Sequence, residues 1–167
     1  MATLMLADKN EAWFLLATAP TNYKAPAIGD FSGAKNISDQ VFDDGSYIRP
    51  SGSTSTKEPY INGEQNEAFG ADNFEAQMSV ALFADTDSDI WTALKEKGAT
   101  AWIATRSLQA WGTKPAIDDL VSVYQVMADT PQPPQNRNGY QKRTIPLAVQ
   151  KAVTDVKIVA DTTTGGN

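Results

Sequence analysis

Residues 73–106 read NFEAQMSVALFADTDSDIWTALKEKGATAWIATR, and this stretch decides the fold class. Phe74, Ala76, Met78, Val80 and Leu82 alternate with Glu75, Gln77 and Ser79, a period of two that sets one apolar face on a half-buried antiparallel strand. Asp85, Asp87 and Asp89 then crowd the start of a short helix expected over about residues 87–97. That helix carries Ile90, Trp91 and Leu94, with Lys95 and Lys97 ahead of a terminating Gly98. Ile90 and Leu94 lie one turn apart and are expected to pin the helix to the sheet. The chain returns through Thr100, Trp102, Ile103 and Thr105, residue types that favour a strand. One helix packed on a mainly antiparallel sheet is the architecture these periods predict.

The 167 residues suit one ordinary core, so residues 1–167 are expected to form a single domain with arms. Fourteen basic against twenty acidic side chains give a net charge of -6, which disfavours gripping nucleic acid by its phosphates. With no cysteine and no histidine, disulfides, thiol chemistry and the commonest general base and metal ligand are excluded. The N-terminal residues lack a basic leader, and the apolar run Ala12 to Ala17 is far shorter than a membrane span. No membrane association and folding in the cytosol are therefore expected.

Along the chain, residues 1–36 read as an N-terminal strand and a wandering arm broken by Pro20 and Pro26. Asp43-Asp44-Gly45-Ser46 lies between Gln40-Val-Phe and Tyr47-Ile, which predicts a hairpin over residues 40–48. Residues 49–71, RPSGSTSTKEPYINGEQNEAFGA, show no apolar periodicity and read as a long loop. Ordering such a segment costs roughly 1 kcal/mol or more per residue, on the order of 20 kcal/mol in all. Offsetting that needs on the order of 1,000 Å² of apolar burial, so the loop is expected either to stay disordered or to dock onto another subunit. Pro50, Lys57, Glu58, Pro59, Tyr60, Ile61 and Phe69 are its expected contact residues. Leu120–Ala128 reads as a strand buried on both faces, Pro146 as a sign of an edge or a bulge, Val153–Ala160 as a last strand, and residues 161–167 as a flexible tail.

Candidate chemistry is sparse. Asp85, Asp87, Asp89 and Glu96 match positions 1, 3, 5 and 12 of a calcium loop, but Ile90 stands where the sharp turn needs glycine, and helix capping explains the spacing better. A glycosidase needs only two carboxylates, yet no pair is singled out among the acidic residues. Trp13, Trp91 and Trp102 sit in patterned elements and read as core, which leaves Trp111, beside a turn, as the surface aromatic. No catalytic residue, metal ligand or cofactor site follows from these patterns.

Phe74-Glu-Ala-Gln-Met-Ser-Val-Ala-Leu-Phe, Trp91-Thr-Ala-Leu-Lys, the return strand ending at Thr105-Arg106, and later Gly139-Tyr-Gln-Lys-Arg-Thr-Ile-Pro-Leu and Val153 to Ala160 form an ordered series. Over roughly residues 40–160 it resembles the major tail tube proteins of long, non-contractile-tailed phages. The resemblance implies a β-sandwich or partial barrel with one flanking helix, assembling as hexameric rings stacked into a tube. The residue 49–71 loop and the termini would bridge rings. Glu75, Gln77 and Ser79 would face the lumen, and DNA would pass without specific binding. It also implies tail tip, tape measure and tail terminator partners, a place in the virion, and assembly in the host cytoplasm. The inner tube of a contractile tail or injection system is a close alternative; a carbohydrate-binding β-sandwich and a carboxylate-based hydrolase are more distant ones.

Overall fold

The computed structural model describes residues 9–59, 61, 65–133 and 138–162. Within them run β1 (Glu11–Leu15), β2 (Lys35–Asn36), β3 (Val41–Pro59), β4 (Gln65–Ala81), α1 (Asp89–Leu94), β5 (Thr100–Ser107), β6 (Leu120–Ala128) and β7 (Lys142–Lys157). The seven strands form one antiparallel sheet in the order β2-β1-β5-β6-β7-β4-β3, so the fold is mainly β with one short helix.

The sheet is curled. β2 and β3 are its opposite edges, about 29 Å apart if seven strands lay flat. Only residues 37–40 join them, a link that spans at most about 18 Å. The backbone closes part of the gap, since Ile37 N–H donates to the Trp13 carbonyl and Ala81 N–H to the Gln40 carbonyl. The result is a partial barrel open along a seam rather than a closed one.

Alternation along each strand feeds two apolar clusters. Met78, Val80, Ile103, Tyr124, Val126, Ile145 and Leu147 pack with Ile90 and Leu94 of α1 on one face. Ala12, Phe14, Leu16, Ala104, Val121, Val123 and Ile158 pack with Phe31 on the other. Ile90 and Leu94 are fully buried, and Trp91 is half-buried against the same cluster. Full burial of a side chain such as Leu94 stabilises by about 1.5–3 kcal/mol. The helix is shorter than the expected 87–97. Ser88 caps it by accepting the Trp91 N–H at 3.2 Å, and Asp87 lies outside it, paired with Lys95. Gly98, at φ +86°, turns the chain toward β5.

Three further expectations are corrected. Asp43–Ser46 does not close a hairpin: β3 runs straight through it, and the register steps from Phe42↔Ser79 to Tyr47↔Gln77, so these residues bulge out of the ladder. Pro146 lies in a continuous 16-residue strand flanked by β6 and β4, not on an edge. Its carbonyl accepts from Asp129, beyond the end of β6, so the side of the strand from which its N–H is missing faces that connection and no ladder bond is lost. Asp161, expected in a loose tail, accepts the Gly29 N–H at 2.8 Å, and Val159 bridges to Ala27; residues 163–167 lie outside the described residues.

The largest correction concerns residues 49–71. They form a two-stranded arm rather than a loop, paired from Arg49↔Glu75 to Pro59↔Gln65. β4 pairs with β7 only from Ala76↔Leu147 to Ala81↔Lys142, so from Glu75 outward β3 and β4 have only each other among the described residues. The segment reads as loop because its sequence shows no apolar alternation, the mark that a buried face leaves on a strand.

Candidate assembly surfaces

The arm is the first such surface. It runs about 35 Å beyond the point where β4 leaves β7, given a rise of about 3.3 Å per residue. An isolated two-stranded ribbon is only marginally stable in water. At its base Arg49 pairs with Glu75 at 3.1 Å and lies over the Tyr47 ring, and Ser53 donates to Asp72 at 2.7 Å. Of the expected contact residues, Pro50 is exposed at the base, Lys57, Glu58 and Pro59 lie in β3, Phe69 in β4, and Ile61 is fully exposed at the turn. Tyr60 lies outside the described residues.

The second surface is the polar face of β4. Glu75 is exposed, Gln77 is half-buried with Nε2 donating to the Gly45 carbonyl at 2.8 Å, and Ser79 is only 2% exposed. Ser79 is removed from solvent because the bulge folds over it, its N–H donating to Ser46 Oγ at 2.8 Å. What this face presents beside Glu75 is therefore the bulge itself, with Asp43 and Asp44 exposed and Lys142 reaching Asp44 at 3.7 Å.

The third is the seam, a groove of about 670 Å³ between β1 and the start of β3, lined by Trp13, Ser38, Phe42, Tyr47 and Trp111 among others. The fourth is the β5–β6 connection, residues 108–119, where Leu108, Trp111 and Ile117 are exposed. Trp111 was legible as the surface tryptophan; its two apolar neighbours carried no signal, being isolated residues in a polar stretch.

The electrostatics are those of local pairs. Lys35 and then Gln40 hydrogen-bond the Asp89 carboxylate and hold it below the usual range, while the Thr130 amide and Lys97 do the same for Asp129. Burial pushes the Tyr124 phenol up. Asp87 turns to Lys95 and Asp89 to Lys35, so the acidic run does not converge on an ion. Among the described residues no three His, Cys, Asp or Glu side chains are placed to hold a metal.

The described residues thus form one open antiparallel sheet from which a two-stranded arm extends. The family model described as "Phage tail tube protein" matches residues 1–162, and the chain belongs to that family of structural virion proteins. No curated protein matches the sequence.

Proposed function

We propose that copies of this chain close into rings of six that stack into the tail tube, a conduit through which phage DNA leaves the particle. The observation that carries this reading is the arm: a ribbon whose two strands, beyond Glu75, pair only with each other among the described residues suits a segment that reaches the next ring. Family membership supports self-assembly with other tail proteins, and ring closure gives the edge strands β3 and β2 a partner. Tail tip, tape measure and terminator proteins are the partners at the ends, and the host cytoplasm is where assembly occurs.

The chain works by assembly rather than turnover. A net charge of -6, with Asp43, Asp44 and Glu75 on one face, suits a bore that repels phosphate and lets DNA slide. Negative-stain microscopy and light scattering of concentrated protein test the reading. Rings or tubes are expected, and a persistent monomer even with a tail-assembly initiator present overturns it.

A further inference from the structure

We propose that the seam groove between β1 and the start of β3 binds a linear alkyl polyamine, its methylene chain against aromatic rings and its ammonium groups against carboxylates. The inference goes beyond the tail-tube reading and does not depend on assembly.

Four rings line the groove without filling it. Trp13, Phe42, Tyr47 and Trp111 all belong to its wall, and no two of them form a ring pair with each other among the described residues. Three of them are fixed by bonds or contacts of the chain itself. Trp13 Nε1 donates to Glu11 Oε1 at 2.8 Å, and its backbone N–H donates to Ser38 Oγ at 2.9 Å. Trp111 is held through its backbone, its N–H donating to the Lys9 carbonyl at 2.9 Å and its carbonyl accepting from Asn36 Nδ2 at 2.6 Å. Phe42 stacks on Tyr140 with ring centroids 6.3 Å apart. Side chains already fixed lose little freedom when a ligand arrives.

The faces of such rings attract cations, and two of the four do so within the chain: Arg49 Cζ lies 4.5 Å from the centroid of Tyr47 and Lys142 Nζ 5.4 Å from that of Phe42. Both cations are answered outside the groove, Arg49 by Glu75 at 3.1 Å and Lys142 by Asp44 at 3.7 Å. The groove's own charges are Glu11, Asp39 and Asp43 against Lys9. The exposed side chains of Asp39 and Asp43 have no hydrogen bond or ion pair among the described residues. Aromatic faces beside uncompensated carboxylates select an organic cation.

Size and spacing give the ligand its shape. The groove's volume of about 670 Å³ lies within the range of roughly 300–1,000 Å³ typical of small-molecule sites. Among the described residues no three acidic side chains converge as metal ligands, so the negative charge is spread along the groove. A ligand whose charges are spaced along an apolar chain meets that arrangement. A neutral sugar would use the rings and leave the excess charge unanswered.

Calorimetric titration with spermidine at fixed ionic strength tests the site, with magnesium chloride and cellotetraose titrated in parallel. One saturable spermidine site per chain is expected, weakening as salt rises, with no saturable heat from the other two. Asp39→Asn with Asp43→Asn should lower the affinity at least about tenfold. Trp111→Leu keeps every charge and should still lower it about threefold, with the melting midpoint unchanged because Trp111 is 43% exposed. Spermidine heats that magnesium reproduces, or that ignore Trp111→Leu, would assign the binding to diffuse charge attraction and overturn the site. Saturable binding of cellotetraose in place of spermidine overturns it in favour of a sugar groove, and binding of neither overturns it outright. Tube formation is scored separately by microscopy, so none of these results alters the tail-tube reading.

Discussion

Ser46 Oγ accepts the backbone N–H of Ser79 at 2.8 Å, and with the Gln77 Nε2 donation to the Gly45 carbonyl it ties the Asp-Gly bulge of β3 onto the middle of β4. The β3–β4 register breaks beside the Phe42↔Ser79 pair, because four residues, Asp43 to Ser46, loop out between Phe42 and Tyr47. A side-chain hydroxyl supplies the acceptor for the Ser79 N–H there. Ser46→Ala leaves a buried N–H unpaired, so it should cost about 1–3 kcal/mol and lower the melting midpoint by several degrees, while Ser46→Thr should keep most of the stability. Equal midpoints for the alanine and threonine variants would show that the bond contributes nothing.

Arg106 and Asp119 supply the second prediction. Removing one member of a buried ion pair strands the other, at about 3–5 kcal/mol. Arg106→Met should be that damaging, since Asp119 is only 10% exposed and the carbonyls of Ala110 and Thr113 also lose their donor. Adding Asp119→Leu should restore part of the loss. A double-mutant cycle in denaturant measures the coupling, and strictly additive effects would mean the two groups act independently.

The third concerns acid. Lys35 and Gln40 lower the Asp89 pKa from its ordinary 3.8, so its folded value is below its unfolded value. The contribution to stability is therefore fully present above pH 3.8 and is lost as pH falls through the depressed folded value. Asp89→Asn should flatten this part of the melting-temperature profile below pH 4 while leaving the neutral-pH midpoint close to that of a Lys35→Met chain. An unaltered acid limb in the asparagine variant would assign the pH dependence to other carboxylates.

What sequence reveals here follows burial. The Phe74 to Val80 alternation is legible because Met78 and Val80 go to zero exposure in the core cluster while Glu75 stays exposed and Gln77 half-buried. Ile90 and Leu94 are legible for the same reason. The arm was not, since β3 and β4 pair there only with each other among the described residues, and pairing alone leaves no periodic mark. The Asp-Gly pair misled because its local turn preference is satisfied equally well by a bulge, with Gly45 at φ +86°. Arg106 gave no signal: an arginine at the end of a strand reads as surface, and only the folded 108–119 connection reveals that it is enclosed.

Deleting the arm separates assembly from folding. Replacing residues 53–72 by a two-residue Asn-Gly turn joins Gly52 and Asn73, which already face each other across the ladder. Because β3 and β4 pair in that span only with each other among the described residues, the monomer should keep its cooperative melt and its β-rich circular dichroism. Tubes should disappear. A chain that unfolds after this deletion would place the arm within the subunit's own stabilising contacts.

The last prediction tests the lumen. Glu75 and Arg49 form a surface pair whose side chains are 53% and 62% exposed, worth at most about 1 kcal/mol to folding. Glu75→Lys should therefore leave the subunit and its assembly intact while reversing one charge in every copy. If Glu75 faces the bore, each ring then carries inward cations where DNA previously met carboxylates, and passing phosphate binds transiently instead of being repelled. Ejection from assembled variant tails should slow, most at low salt, because the attraction is screened as ionic strength rises. Tails that assemble and eject DNA at the parental rate across that salt range would put Glu75 on the outer wall or between subunits.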